Sequence, residues 1–168
     1  MSDQDHPEHA AIDPDDFRRV LGHLPTGVTV VTANGPDGPV GVAIGSFASI
    51  SLDPPLVGFF LGVDSSSRAG IEAAGHYTVN ILTADQGPVS GVMASKEPDK
   101  FDGIDHSPAP YSGAPVLPQV HAMIDCSLDQ VITLGDHVLM VGRVQHLTSG
   151  EESEPMVFYK GSYGSFRA

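Results

Sequence analysis

The sequence predicts a mostly β protein, with six or seven antiparallel strands closed or partly closed into a barrel and short helices at its flanks. Three observations carry this expectation. Runs rich in Val, Ile and Thr recur along the chain, several alternating apolar with polar residues at the two-residue period of a strand. Helical patterns are short. Glycine and proline are plentiful, at 19 and 14, and tryptophan is absent, which suits a chain of many turns. A length of 168 residues suits one domain with a sizeable core. Residues 1–13 read as a disordered acidic tail and 14–168 as the domain.

The elements follow in order. Pro14-Asp15-Asp16 opens a short helix with acidic residues at its positive end, and Phe17, Val20, Leu21 and Leu24 form its apolar face. Pro25 ends it. Thr26 to Ala33 is a β-branched strand, Asn34 to Gly38 a turn, and Pro39 to Ser46 a second strand, so the pair is a hairpin. Leu56 to Val63 is nearly continuously apolar, as for a strand buried on both faces. Residues 66–74 are helical and Tyr77 to Leu82 is a strand. Gln86 to Ser95 is a short helix or irregular turn. Residues 103–118, rich in Pro, Gly and Ser, form a long surface loop. His121 to Thr133 and His137 to Leu147 are two long strands joined at Leu134-Gly135-Asp136. Pro155 to Lys160 is the last strand.

The formal net charge is −13, with only eight Lys and Arg. This excludes the clustered cations that hold a nucleic-acid backbone or an anionic membrane. Met1 to Asp16 is polar and acidic, without the apolar run of a signal peptide, and no segment reaches the ~20 apolar residues of a membrane span. A cytoplasmic protein is expected. Cys126 is the only cysteine, so no internal disulfide forms, and its apolar surroundings in sequence make it a small buried residue. His121 and Cys126 lie five apart on an extended segment and face opposite sides. His6 and His9 fall in the tail. No folded metal site is expected. The Gly-x-Ser-x-Gly elbow and the glycine patterns of nucleotide-binding loops are missing.

Three segments carry chemistry. Gly41 to Pro55 alternates small or hydroxylic residues with apolar ones and stops at a double proline. A strand with so little bulk on one face lets a flat ligand lie on its backbone, and Ser46, Ser49 and Ser51 can bond such a ligand. Ser65-Ser66-Ser67-Arg68 marks a helix start, where exposed N–H groups and the helix dipole suit a phosphate, with Ser hydroxyls and the Arg68 guanidinium to complete the site. The same letters also describe a simple N-cap at Asp64 or Ser65. Gly135-Asp136-His137 sits at a hairpin tip, where His137 either contacts a second ligand or is merely solvated.

Taken in order and spacing, the residues resemble the flavin reductase-like family, whose fold is an FMN-binding split barrel. The nearest likeness is to the reductase components of two-component flavin-dependent monooxygenases. Matching stretches are Phe17-Arg18, Thr26 to Thr32, Pro39-Val40-Gly41, Ser46-Phe47 with Ser49, Ser51 to Val57, Ser65 to Ser67, Val79 to Leu82, Asp99-Lys100-Phe101, Gly113 to Pro115, Gly135-Asp136-His137 and Phe158 to Tyr163. The likeness covers roughly residues 14–166.

The resemblance implies a split antiparallel barrel, homodimeric, with the flavin near the subunit interface. It implies that Pro39, Val40, Gly41, Val42, Ala43, Gly45 and Ser46 lie along the flavin. Phe60, Leu61 and Gly62 would support it, Ser66 and Ser67 would hold its phosphate, and Ser90 and Gly91 would add a contact. His137, Tyr163 and Gly164 would meet the nicotinamide dinucleotide. Ala43 and Gly45 stand where many relatives carry Thr and Asn, which leaves backbone groups and Ser46 to hold the ring. The implied activity is NAD(P)H:flavin oxidoreduction. Reduced FMN or FAD would be passed to a partner monooxygenase, with NADH preferred because cations for an extra phosphate are scarce. No catalytic side chain is required, since the flavin carries the chemistry. The alternative is a flavin-binding or electron-transfer protein on the same fold without reductase turnover.

Overall fold

The computed structural model describes residues 11–150 and 152–167. His6, His9 and most of the assigned tail lie outside them. Asp13 caps the first helix, α1 (Pro14–Leu21), its carboxylate accepting from the Asp15 and Asp16 amides at 2.8 and 3.1 Å. Short strand β1 (Thr26–Gly27) follows, then the hairpin β2 (Thr29–Gly35) and β3 (Gly38–Ile44), β4 (Ala48–Leu52) and β5 (Pro55–Gly62). Helix α2 (Ser66–Ala74) leads to β6 (His76–Ile81), and helix α3 (Gly87–Ala94) to a loop pinned by β7 (Ser107–Pro108) and β8 (Pro115–Val116). The long hairpin β9 (Ala122–Leu134) and β10 (His137–Ser149) precedes the C-terminal hairpin β11 (Met156–Tyr159) and β12 (Ser162–Ser165).

Seven strands form one antiparallel sheet in the order β3-β2-β6-β9-β10-β5-β4. It coils round a core in which Phe59 and Tyr77 meet edge to face at 5.3 Å among Val31, Ile71, Val79, Cys126 and Met140. Such interiors are close-packed. A Cβ on Gly142 would fall 2.1 Å from the Tyr77 hydroxyl, so only glycine fits beside that ring. A second core lies on the other side of β2 and β3, where Val28, Val30, Leu82 and Met156 pack with Met93 of α3. The rim is stitched where Ser46, just past β3, bonds β5: its hydroxyl donates to the Phe60 carbonyl at 3.2 Å and accepts from the Phe60 amide at 3.0 Å. β11 pairs with β1 and β12, forming a separate small sheet.

Several expectations change. Gly41 to Pro55 is not one strand: β3 ends at Ile44 and β4 starts at Ala48, because the chain crosses to the β5 edge at Ser46. The double proline does not stop the chain. Pro54 sits in a tight turn and Pro55 pairs with Leu52. β5 is not buried on both faces, for Val57, Phe59 and Leu61 point inward while Phe60 is 42% exposed. The apolar face of α1 does not enter the core of the described residues: no residue of α1 is buried, and Phe17, Val20, Leu21 and the following Leu24 are all exposed. Strand β12, four exposed residues, went unforeseen because Ser and Gly carry no strand pattern.

Candidate functional site

Two adjoining concavities lie between β3, the start of α2, the end of α3 and the C-terminal hairpin. The first is an apolar slot of about 170 Å³ walled by Val28, Ala43, Ile44, Gly45, Ala94 and Phe158, with Ser90 and Tyr163 also lining it. The second is a polar cleft of about 340 Å³ in which Ser65, Ser66 and Ser67 face Lys96 and Lys100. Ala94 belongs to both, so the two adjoin at that residue. Small-molecule sites are concavities lined mostly by apolar groups with a few placed polar ones.

Local sequence builds the cleft. Helix α2 starts at Ser66 because Ser65 takes extended backbone angles at the N-cap, and it ends at Gly75, whose φ of 69° is left-handed. The Ser65 hydroxyl does not cap the helix, so the first-turn N–H groups face the cleft without that partner. Ser67 is buried and donates to the Gly41 carbonyl at 3.1 Å. The same carbonyl accepts from the Lys100 ammonium at 3.1 Å, which also donates to the Met93 carbonyl at 2.9 Å. Lys100 thereby ties β3 to the end of α3, and burial lowers its pKa. Gly41 is small because Met93 and Phe101 occupy its Cβ side, with the Met93 sulfur only 2.5 Å from an ideal Cβ.

The slot is closed from outside by the C-terminal hairpin. Tyr163 of β12 reaches the fully buried Ser90 of α3, hydroxyl to hydroxyl, at 2.9 Å. Tyr163 also borders a shallow outer groove that Gly164 lines. His137 stands at the tip of the β9–β10 hairpin, paired in register with Gly62. Its Nδ1 is 2.7 Å from the Asp136 carboxylate, and this contact draws the Asp136 pKa down.

The structure therefore gathers Val42, Ala43, Gly45, Ser66, Ser67, Ser90 and Tyr163 around one site, with Gly41 at its wall through its carbonyl. Other sequence-derived candidates lie elsewhere. The Val40 side chain packs on Gly70 of α2 and Leu61 points into the core. Pro39 is beside the hairpin turn, and Gly91 is on the exposed side of α3. The Ser46 hydroxyl is engaged by Phe60. Phe60, Gly62 and His137 form a group at the end of β5, outside the residues that line the slot and cleft. The Arg68 guanidinium does not enter the cleft: it pairs with Glu72 at 2.6 Å and the Val63 carbonyl at 3.3 Å. Lys96 and Lys100 were missed as site residues, because only the fold brings residue 100 beside residues 41 and 93. Cys126 is fully buried beside Tyr77, and burial pushes its thiol pKa up to about 12. Among the described residues no group of three His, Cys, Asp or Glu could hold a metal, and no helix is long and apolar enough to cross a membrane.

The family described as flavin reductase like domain matches residues 21–167. This chain belongs to that family. Its relatives include a flavin reductase of Pseudomonas putida, 46% identical over 95% of this chain and 94% of the relative. The reductase subunit HsaB of a flavin-dependent monooxygenase from Rhodococcus jostii is 46% identical over 91% of this chain and 78% of its own. Among solved structures, the NADH:FAD oxidoreductase SgcE6 of Streptomyces globisporus superposes with a TM-score of 0.87. It is 35% identical and covered in full by 96% of this chain.

Proposed function

We propose that this protein is an NAD(P)H:flavin oxidoreductase that reduces FMN or FAD and releases the reduced flavin to a partner monooxygenase. The observation that carries the reading is the division of one site, in a chain of this family, into an apolar slot and a cationic cleft. A flavin has that same division, a flat ring at one end and a phosphate at the other. Ala43 and Gly45 present small surfaces for the ring, and the first turn of α2 presents N–H groups for the phosphate. Bound there, the flavin supplies the hydride acceptor; the chain is left to bind, orient and exclude water.

Tyr163, with Gly164 and His137, is assigned to the nicotinamide dinucleotide. Tyr163 is the residue shared by the slot and the outer groove, so a ligand in that groove adjoins the slot. A homodimer is part of the proposal. Its support is the α1 face of Phe17, Val20 and Leu21, too apolar to face water in one stripe without a partner. The test is NADH oxidation with and without added FMN, FAD and riboflavin. Turnover that depends on added flavin is expected. No NADH oxidation with any of the three refutes the assignment.

A further inference from the structure

A cavity of about 540 Å³ lies between the end of α1 and the β11–β12 turn, lined by Arg18, Arg19, Gly22, His23, Lys160 and Gly161. It gathers three of the eight Lys and Arg of a chain that carries 21 Asp and Glu, and no carboxylate is among its lining residues. Cations collect at helix ends for a local reason, the unpaired carbonyls of the last turn. That reason is absent here, because every carbonyl from Arg18 to Gly22 already has another donor. The amides of Gly22, His23 and Leu24 donate to Arg18, Val20 and Leu21, and the Lys160 amide donates to Gly22 at 3.2 Å. His23 Nδ1 is 3.0 Å from the Arg19 carbonyl. A carbonyl only accepts, so Nδ1 donates and Nε2 is left for a ligand.

The cations keep donors for an outside anion. A guanidinium has five N–H groups; Arg18 gives one to Asp15, and Arg19 gives two to Asp16. Both pairs are exposed on both sides, where such contacts hold weakly. Among the described residues Lys160 has no carboxylate partner. Its place in the backbone is also unusual. Lys160 and Gly161 are the two residues between β11 and β12, with φ of 48° and 79°. Such a turn favours Asn-Gly, so a lysine in the first position gives up backbone preference. Breaks of a local rule are expected where a side chain has a task.

The cavity is the far end of a series. Tyr163 lines both the slot and the outer groove, and His23 lines both that groove and the cationic cavity. The Lys160 ammonium stands 5.3 Å over the ring of Tyr159, which lines the groove. A nicotinamide dinucleotide with its reactive ring at Tyr163 has, as its next charged group, a diphosphate. We propose that Arg18, Arg19 and Lys160, with His23, hold that diphosphate, and that the dinucleotide lies extended along the groove from Tyr163 to Lys160. This rests on the dinucleotide assignment above. The diphosphate is common to NADH and NADPH, so the site binds the dinucleotide without choosing between them. Charge-assisted contacts to phosphate oxygens are the strong ones, and a forked guanidinium suits them.

The test compares kcat/KM for NADH with kcat/KM for reduced nicotinamide riboside, which has the ring and its ribose but no phosphate. Saturating FMN and FAD are used in turn, with thermal midpoints recorded in parallel. The proteins are wild type, Lys160→Met, Lys160→Met with Arg18→Gln, and Arg143→Gln, which removes the same charge outside the cavity. Lys160→Met is expected to lower the NADH value about fivefold relative to the riboside, and the double variant about tenfold or more, at unchanged midpoints. Arg143→Gln should leave the ratio unchanged. A ratio that does not move in the double variant, or that moves as far in Arg143→Gln, overturns the proposal and leaves the reductase reading intact. If the riboside is not turned over, inhibition by ADP-ribose decides, since it carries the diphosphate without the ring. Its Ki against NADH should rise about fivefold in Lys160→Met, and an unchanged Ki overturns the proposal. Wild-type protein that does not oxidise NADH with either flavin overturns both.

Discussion

The hydroxyl pair between Ser90 and Tyr163 makes an asymmetric prediction. Ser90 is fully buried on α3, and Tyr163 Oη at 2.9 Å is its hydroxyl's one partner among the described residues. Tyr163→Phe leaves a buried hydroxyl with no partner, which costs about 1–3 kcal/mol. Ser90→Ala has a smaller effect. The Tyr163 hydroxyl then turns to water, since that side chain is 44% exposed, and only the net value of the bond is lost, about 0.5–1.5 kcal/mol. The double variant should be no worse than Tyr163→Phe alone, so the two single costs are not additive. The effect is local, because the C-terminal hairpin is joined to the rest by the two residues of β1, a few loop hydrogen bonds and the buried Met156 at its start. Hydrogen exchange of amides 156–165 is therefore the assay. Each 1.4 kcal/mol of easier opening raises exchange about tenfold. Additive costs, or a larger effect from Ser90→Ala than from Tyr163→Phe, would refute the reasoning.

Three further outcomes are expected. Ser66→Ala should weaken FMN several-fold and leave riboflavin unchanged. Ser67→Ala should weaken both, because it removes one of the two donors, Ser67 and Lys100, that fix the Gly41 carbonyl at the cleft wall; flavin titrations separate the two patterns. His137→Ala should raise the KM for NADH and leave flavin affinity nearly unchanged, and a collapse of flavin binding with a constant KM would contradict its place beside the dinucleotide. NADH should be preferred over NADPH, whose extra phosphate usually needs a dedicated cation. Arg143 and Arg167, otherwise candidates for that task, are held by Asp129 and Glu154. The ratio of kcat/KM for the two dinucleotides at matched ionic strength checks this.

Where local chemistry decides the structure, the sequence was legible. Three serines, an apolar helical pattern and Gly75 delimit α2 at residues 66–74, as expected. Gly135-Asp136 marks the hairpin tip that carries His137, and Gly135 has the φ of 63° that such a turn favours. Strand β2 is plain from its β-branched run, and β9 and β10 from their alternation. Less legible were features that depend on distant partners. Ser46 reads as a ligand contact, yet its hydroxyl answers both backbone groups of Phe60. Val40 and Gly41 adjoin in sequence and face opposite sides, one to α2 and one to α3. Lys100 looks like one charge in a polar loop until the fold sets it on two carbonyls. Strand β12 has no pattern at all, and it carries Tyr163.

The Ser46 stitch also bears on how the molecule behaves in a crowded solution. β3 and β4 are the two ends of the seven-stranded sheet, so among the described residues each has an outer row of backbone donors and acceptors with no neighbouring strand. Such rows are templates for pairing with other chains. Pro39 blunts one of them, since it has no N–H to offer, and the hydroxyls of Ser49 and Ser51 keep the other polar. The Ser46 hydroxyl bonds the β3 end of the rim to β5, between the core packing of Ile44 and Phe47. A chain that lost it, as in Ser46→Ala, would gape at the rim, and its first failure would be strand-to-strand aggregation during expression, before any loss of the core.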